Sequence, residues 1–220
     1  MPTVYIWYPD KDHPYGHAAL QTDKYHISFW PDGDVKNDLG VARAVAGNGV
    51  PGCLIFHPEL DRFYEGIRLP TGIYELDQEK VTDEAINRIH EKFLHYNGID
   101  TADVTLEAGE KLVDQSTPPE VSVSKTKYAI VLYNIIYPSD FYYEYVNNCV
   151  SFCSQVILQA GKRSFMNELV DIITDNVTFP ILDLFTVPWF ESHIKKNWVK
   201  GSGWNMLNVL DNAITRSARY

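Results

Sequence analysis

Apolar and polar positions alternate in short runs through the first third of the chain and give way later to runs of helical period. Val4 to Tyr8 is an apolar and aromatic run stopped by Pro9, which predicts a strand. His17 to Gln21 and Tyr25 to Trp30 are two more such runs around the polar Thr22-Asp23-Lys24, and they predict a β-hairpin. Pro31-Asp32-Gly33 ends the second run with turn chemistry. Val35 to Pro51 is rich in glycine and small residues and reads as loop. Ile67-Arg68-Leu69 and Gly72 to Leu76 read as further strand pieces on either side of Pro70.

The period then changes. Ile86, Ile89, Phe93 and Leu94 recur at helical spacing, with Thr82 or Asp83 able to cap the start and Gly98 just past the end. Asp100 to Lys125 is polar, contains Pro118-Pro119 and a Ser/Thr cluster, and predicts a surface excursion. Tyr128 to Tyr137 is an apolar run broken by Pro138-Ser139-Asp140. A second helix is predicted from Asn148 to Gln159, closing at Ala160-Gly161, with Val150, Phe152, Cys153, Val156, Ile157 and Leu158 on its apolar faces. Phe179-Pro180 and Val187-Pro188-Trp189 punctuate the last third, and Trp204 to Ile214 reads as a short helix. Strands split around helices, without an internal repeat, predict an α+β fold in which an antiparallel sheet packs on a helix. Residues 1–220 are expected to form one domain.

Composition narrows the function. The chain has 220 residues and a formal charge of −10, which disfavours nucleic acids and anionic membrane surfaces as partners. Hydrophobic residues are 45% and charged residues 22%, the balance of a folded domain. The 14 Tyr, 10 Phe and 5 Trp can fill a core and still line a groove. No apolar stretch is long enough to span a membrane, and Met1 to Asp10 lacks the basic and apolar regions of a signal peptide. The three cysteines, Cys53, Cys149 and Cys153, do not describe a disulfide scaffold. Without CxxC, HExxH, GxGxxG or a P-loop, no metal and no cofactor is expected.

The most informative segment is Asn148-Cys149-Val-Ser-Phe-Cys153. Cys149 falls at a helix start, where unpaired N–H groups and the helix dipole favour a thiolate. It is a candidate nucleophile, whereas Cys153, one turn on, is expected in the core. A nucleophilic cysteine needs a base. His90 and His95 lie beside Glu91 and Lys92 on what reads as a solvated face. His57 precedes Pro58 in a loop, His13 precedes Pro14, and His193 lies in a mixed stretch. His17 begins a strand within Gly16-His17-Ala18-Ala19, where small neighbours leave room for another element to approach.

Hairpin geometry restricts the third member. Across a two-residue turn, facing positions have numbers with an odd sum, so His17 shares a face with His26, Ser28 and Trp30. If the turn is Thr22-Asp23, His17 faces Ser28 directly. If it is Asp23-Lys24, His17 faces Trp30 and Ser28 is diagonal. Ser28 can fix the imidazole tautomer, and His26 is the alternative. Asn148 is a candidate oxyanion donor, and Trp30, Tyr8, Tyr15 and Tyr145 are candidate walls of a substrate groove.

Gly16-His17-Ala-Ala-Leu20, Tyr25-His-Ile-Ser-Phe-Trp-Pro31 and Asn148-Cys149-Val-Ser-Phe152 together resemble the circularly permuted branch of the NlpC-type papain-like cysteine hydrolases. More narrowly, the opening segments resemble type VI secretion effectors of that branch. The resemblance implies a papain-like fold and an amidase or endopeptidase acting on the stem peptides of peptidoglycan. It further implies production in the cytoplasm, delivery by a secretion apparatus into the periplasm of a rival cell, and an immunity protein in the producer. The third position departs from the related lipid acyltransferases, which carry a second histidine on the neighbouring strand. The same Cys–His pair would also serve an acyltransferase, lipase, protease or deamidase, and the fold can be kept as a non-catalytic binding platform.

Overall fold

A computed structural model describes residues 1–11, 16–32, 50–128, 146–161 and 187–200. Strands β1 (Thr3–Trp7), β2 (His17–Gln21), β3 (His26–Pro31) and β4 (Val50–Ile55) come first. Helix α1 (Pro58–Tyr64), strand β5 (Gly72–Glu75) and helix α2 (Asp83–Asn97) follow. A 3-10 turn (Thr101–Val104), helix α3 (Leu106–Asp114), strand β6 (Glu120–Tyr128) and the two-residue β7 (Val146–Asn147) lead to helix α4 (Cys149–Ala160). Helix α5 (Val187–Asn197) is last among the described elements. The strands form one sheet in the order β5-β1-β2-β3-β4-β6-β7, antiparallel except for the β6–β7 pair. The fold is therefore α+β. None of the helices among the described residues is long and apolar enough to cross a membrane.

Strand alternation sorts side chains onto two faces. Val4, Ile6, Ala18, Leu20, Ile27, Phe29 and Leu54 belong to the apolar core. Helix α4 lies against β2, β3 and α2, and Phe152 joins them: its ring lies 5.1 Å from that of Phe29 and 4.8 Å from that of Phe93. Each such buried side chain contributes about 1.5–3 kcal/mol. Trp7, His17, Ser28 and Trp30 are gathered on the opposite side, where α1 packs beside β4.

Helix α2 runs as its spacing predicts. Thr82 caps it by accepting from the Ala85 N–H, and Gly98 closes it in the left-handed region at φ 73°. His90 departs from expectation. It is buried rather than solvated, because it stands four residues from both Ile86 and Leu94 and joins their stripe. His57 lies just before α1, as its place ahead of Pro58 implies, and caps it by accepting from the Glu59 N–H, while its Nε2 lies 2.7 Å from Glu110 on α3.

The segment 100–125 stays largely at the surface but is not a loop. It forms the 3-10 turn, α3 and most of β6, with Val104 and Val123 in the core. Strand β6 pairs with β4 at Glu120 to Val123 and again at Lys127-Tyr128, with a shift of register between, and Ser122 is exposed where Val123 beside it is buried. Ile67-Arg68-Leu69 is not a strand either. It closes α1 through a Schellman turn in which the Ile67 N–H donates to the Arg62 carbonyl at 2.8 Å. The expectations for 129–137, for Phe179-Pro180 and for a helix at 204–214 fall outside the described residues.

Candidate active site

Helix α4 starts at Cys149 because Asn148 caps it. Asn148 Oδ1 accepts from the Ser151 N–H at 2.9 Å, and Ser151 Oγ accepts from the Asn148 N–H at 3.0 Å. The capping box fixes Cys149 as the first helical residue, 4% exposed, where a backbone N–H has no helical partner. It also commits the Asn148 carboxamide oxygen, leaving the amide nitrogen for any ligand. Cys153 lies in the core as expected, and its thiol donates to the Ala18 carbonyl at 3.6 Å. Burial pushes the Cys153 thiol well up, aided by the charges at Cys149 and Asp61. That disfavours its thiolate and leaves Cys149 as the nucleophile candidate of this helix.

The hairpin brings the histidine. Ala19 pairs with Ser28 and Gln21 with His26, and the Thr22 N–H donates to the Tyr25 carbonyl at 2.8 Å. The turn is therefore Asp23-Lys24, and the register continues to set His17 against Trp30 with Ser28 diagonal. Gly16 leads into His17 at φ 65°. A Cβ there would fall 2.5 Å from the Trp7 carbonyl oxygen, so only glycine permits this approach.

His17 is 2% exposed, and its Nε2 lies 2.8 Å from Ser28 Oγ. Ser28 in turn donates to Asp61 Oδ1 at 2.7 Å. With its single proton given to Asp61, Ser28 must accept from His17, so Nε2 carries a hydrogen. Asp61 Oδ1 itself lies 3.6 Å from the same nitrogen. Ser28 and Asp61 thus take up Nε2, and Cys149 is near enough to His17 for its charge to favour the protonated ring. A sulfur, an imidazole, a hydroxyl and a carboxylate thus stand in series.

Asp61 projects from α1 and is fully buried. It accepts three further hydrogen-bond contacts besides the ion pair with His17: Ser28, Trp30 Nε1 at 2.7 Å and His26 Nε2 at 2.6 Å. Burial raises its pKa, but the charges of His26 and His17 and their hydrogen bonds prevail and hold the carboxyl well below the usual carboxylate range. For His17, burial opposes the charged ring. The charges of Cys149 and Asp61, with their hydrogen bonds, overcome it and raise His17 to about 10. The site is therefore built to keep an imidazolium next to the sulfur.

Two tryptophans enclose this ring. The Trp30 ring centroid lies 4.3 Å from that of His17, and the Trp7 centroid lies 5.5 Å from it. Trp30 Nε1 also donates to Ser28 Oγ at 2.9 Å, which holds the indole against the His17–Asp61 contact and keeps water off it. Trp30 thus packs directly on the His17 ring. Tyr8 has its hydroxyl bound to Glu191 of α5, together with that of Tyr74, so it ties α5 to β1 and β5. Tyr15 and Tyr145 lie outside the described residues.

The structure brings together Cys149, His17, Ser28, Trp30 and His26. His26 contacts Asp61 rather than His17, which places it behind the carboxylate. The residue that sequence reasoning missed is Asp61. Its signal was faint: an acidic residue in a Pro-led segment, opposite a hairpin face carrying two histidines and a serine. No group of three or more His, Cys, Asp or Glu among the described residues is arranged to hold a metal ion. No family model, no curated protein and no solved structure matches the chain.

Proposed function

We propose that this protein is a cysteine hydrolase of papain-like, NlpC-type architecture that cleaves amide bonds in the stem peptides of peptidoglycan. The observation that carries the chemistry is the series Cys149, His17, Ser28, Asp61, with the sulfur at a capped helix start and the imidazole held charged beside it. The choice of substrate rests on the resemblance of the Gly16–Leu20, Tyr25–Pro31 and Asn148–Phe152 segments to that group of hydrolases. By the same resemblance the enzyme acts as a type VI effector in the periplasm of a rival cell, and an immunity protein protects its producer.

The Cys149 thiolate adds to the scissile carbonyl, and the carbonyl π electrons move onto oxygen. The Cys149 backbone N–H and the Asn148 amide nitrogen donate to that oxyanion. His17 passes its proton to the leaving amine as the C–N bond breaks, leaving a thioester on Cys149. His17, now neutral, takes a proton from water as the water oxygen attacks the thioester. The tetrahedral intermediate collapses to a carboxylic acid and the Cys149 thiolate, restoring the pair. Ser28 and Asp61 hold the ring throughout. Incubation of sacculi with the wild-type protein should release new muropeptides, detected by mass spectrometry, and Cys149→Ala should release none. Equal release by both proteins, or none by either, would refute the assignment.

A further inference from the structure

We infer that Trp30, Tyr64 and Phe63 form a carbohydrate subsite leading away from His17, which holds a sugar ring of the glycan beside the bond under attack. This rests on the peptidoglycan reading above and names the second part of its substrate. The rings follow one another in a row, each turned against the next, by 35° at His17–Trp30, 48° at Trp30–Tyr64 and 66° at Tyr64–Phe63. The Trp30 centroid lies 4.3 Å from His17, Tyr64 lies 5.6 Å from Trp30, and Phe63 lies 5.6 Å from Tyr64. Exposure rises along it, from the buried imidazole through half-buried Trp30 and Tyr64 to Phe63 at 63%. Phe63 adds nothing to the core, so its ring is available to a ligand.

The row has a polar rim. The Tyr64 hydroxyl donates to Glu120 Oε2 at 3.4 Å, which puts a half-buried carboxylate next to the aromatic plane. A pyranose presents an apolar face of C–H bonds and a periphery of hydroxyls. The face stacks on an aromatic ring, and the hydroxyls donate to a carboxylate. An acyl chain fits this surface poorly. It needs enclosure on several sides, and its phosphate or carboxylate headgroup would meet Glu120 and a protein of charge −10. The row begins at the catalytic imidazole, so a sugar on it lies within one substrate molecule of the scissile bond.

The test uses the full chain carrying Cys149→Ala and the β-1,4-linked trimer of N-acetylglucosamine, titrated by calorimetry. Saturable binding is expected, weakened about fivefold by Phe63→Ala and more by Tyr64→Ala. Tyr64→Phe, which keeps the ring and loses the hydroxyl, should fall between Tyr64→Ala and the parent. Circular dichroism checks that each variant is folded. The inference is overturned if no binding occurs at ~10 mM trimer, or if both alanine variants bind as the parent does. It is likewise overturned if a twelve-carbon acyl probe binds in place of the sugar with the same sensitivity to these variants. Binding is measured without bond cleavage. Trimer binding with intact sacculi would therefore refute the hydrolase alone, and sacculus cleavage without trimer binding would refute the subsite alone.

Discussion

The hydroxyl of Ser28 donates to Oδ1 of Asp61 across 2.7 Å, and both side chains are closed to solvent. Because that bond uses the only proton Ser28 has, the serine can serve His17 solely as an acceptor. Replacing it with alanine should leave the imidazole free to rotate between the tryptophans. We expect Ser28→Ala to lower kcat/KM on muropeptides by up to about 100-fold with little change in KM. An unchanged kcat/KM would remove Ser28 from the positioning of His17.

Asp61 carries the charge that keeps both histidines company. Asp61→Asn preserves shape and removes charge, leaving buried imidazolium uncompensated. A loss of about 3–5 kcal/mol in stability is expected by denaturant unfolding. The same variant should shift the alkaline limb of the pH–rate profile. His17 must be protonated to deliver a proton to the leaving amine, and its pKa of about 10 places the wild-type limb near that pH. Losing Asp61 removes one of the causes of that raised value, so the limb should move to lower pH. The raised His17 pKa also contributes stability that is complete below about 6.5 and disappears as pH rises through about 10.

Thiol reactivity should separate the three cysteines. None is in a disulfide and all are buried, but only Cys149 sits at a helix start beside a charged imidazole. Brief treatment of the native protein with iodoacetamide at neutral pH should modify Cys149 alone, as read by peptide mass spectrometry. Modification of Cys153 or Cys53 at a similar rate would contradict this arrangement.

His90 supplies an independent acid sensitivity. Burial pushes its pKa down to about 3, only weakly opposed by Glu91, and its Nδ1 is buried without a hydrogen-bond partner. The unfolded chain binds a proton near pH 6.5 that the folded chain refuses until about pH 3. Stability from His90 is therefore complete above 6.5 and is lost as pH falls from 6.5 toward 3. The ring lies between Tyr25 and Phe93, with centroids 5.0 and 6.4 Å away, so phenylalanine fits the same setting. His90→Phe should flatten the acid side of the stability profile in thermal melts across pH 4 to 7. An equally steep profile would assign the acid sensitivity elsewhere.

Ile67 holds φ 65° with its side chain 65% exposed, a costly backbone for a β-branched residue that gains little from burial. Asparagine tolerates that region. Ile67→Asn should raise stability by about 0.5–1 kcal/mol, visible as a higher Tm without change in activity.

Much of the site was legible in the chain because hairpins obey simple arithmetic. A two-residue turn decided that His17, Ser28, His26 and Trp30 would share a face, and an Asn-Cys pair before an apolar run located the start of α4. Asp61 was not legible. It lies in a seven-residue helix too short to show a period, and its burial comes from packing across the sheet. Strand β6 was hidden by its serines, threonine and lysines, which read as solvated loop although valines alternate with them at 121 and 123. His90 was misread through its charged neighbours, when its spacing from Ile86 and Leu94 carried the better signal.

The Asp23-Lys24 turn has a consequence that reaches beyond the hairpin. Inserting one residue there would change the parity of every pair in β2 and β3 and rotate half of the catalytic series into the hydrocarbon interior. Each side chain of the site would still be present in the chain, and none would meet its neighbour. A solvent-facing turn of two residues therefore decides whether the proposed site assembles at all.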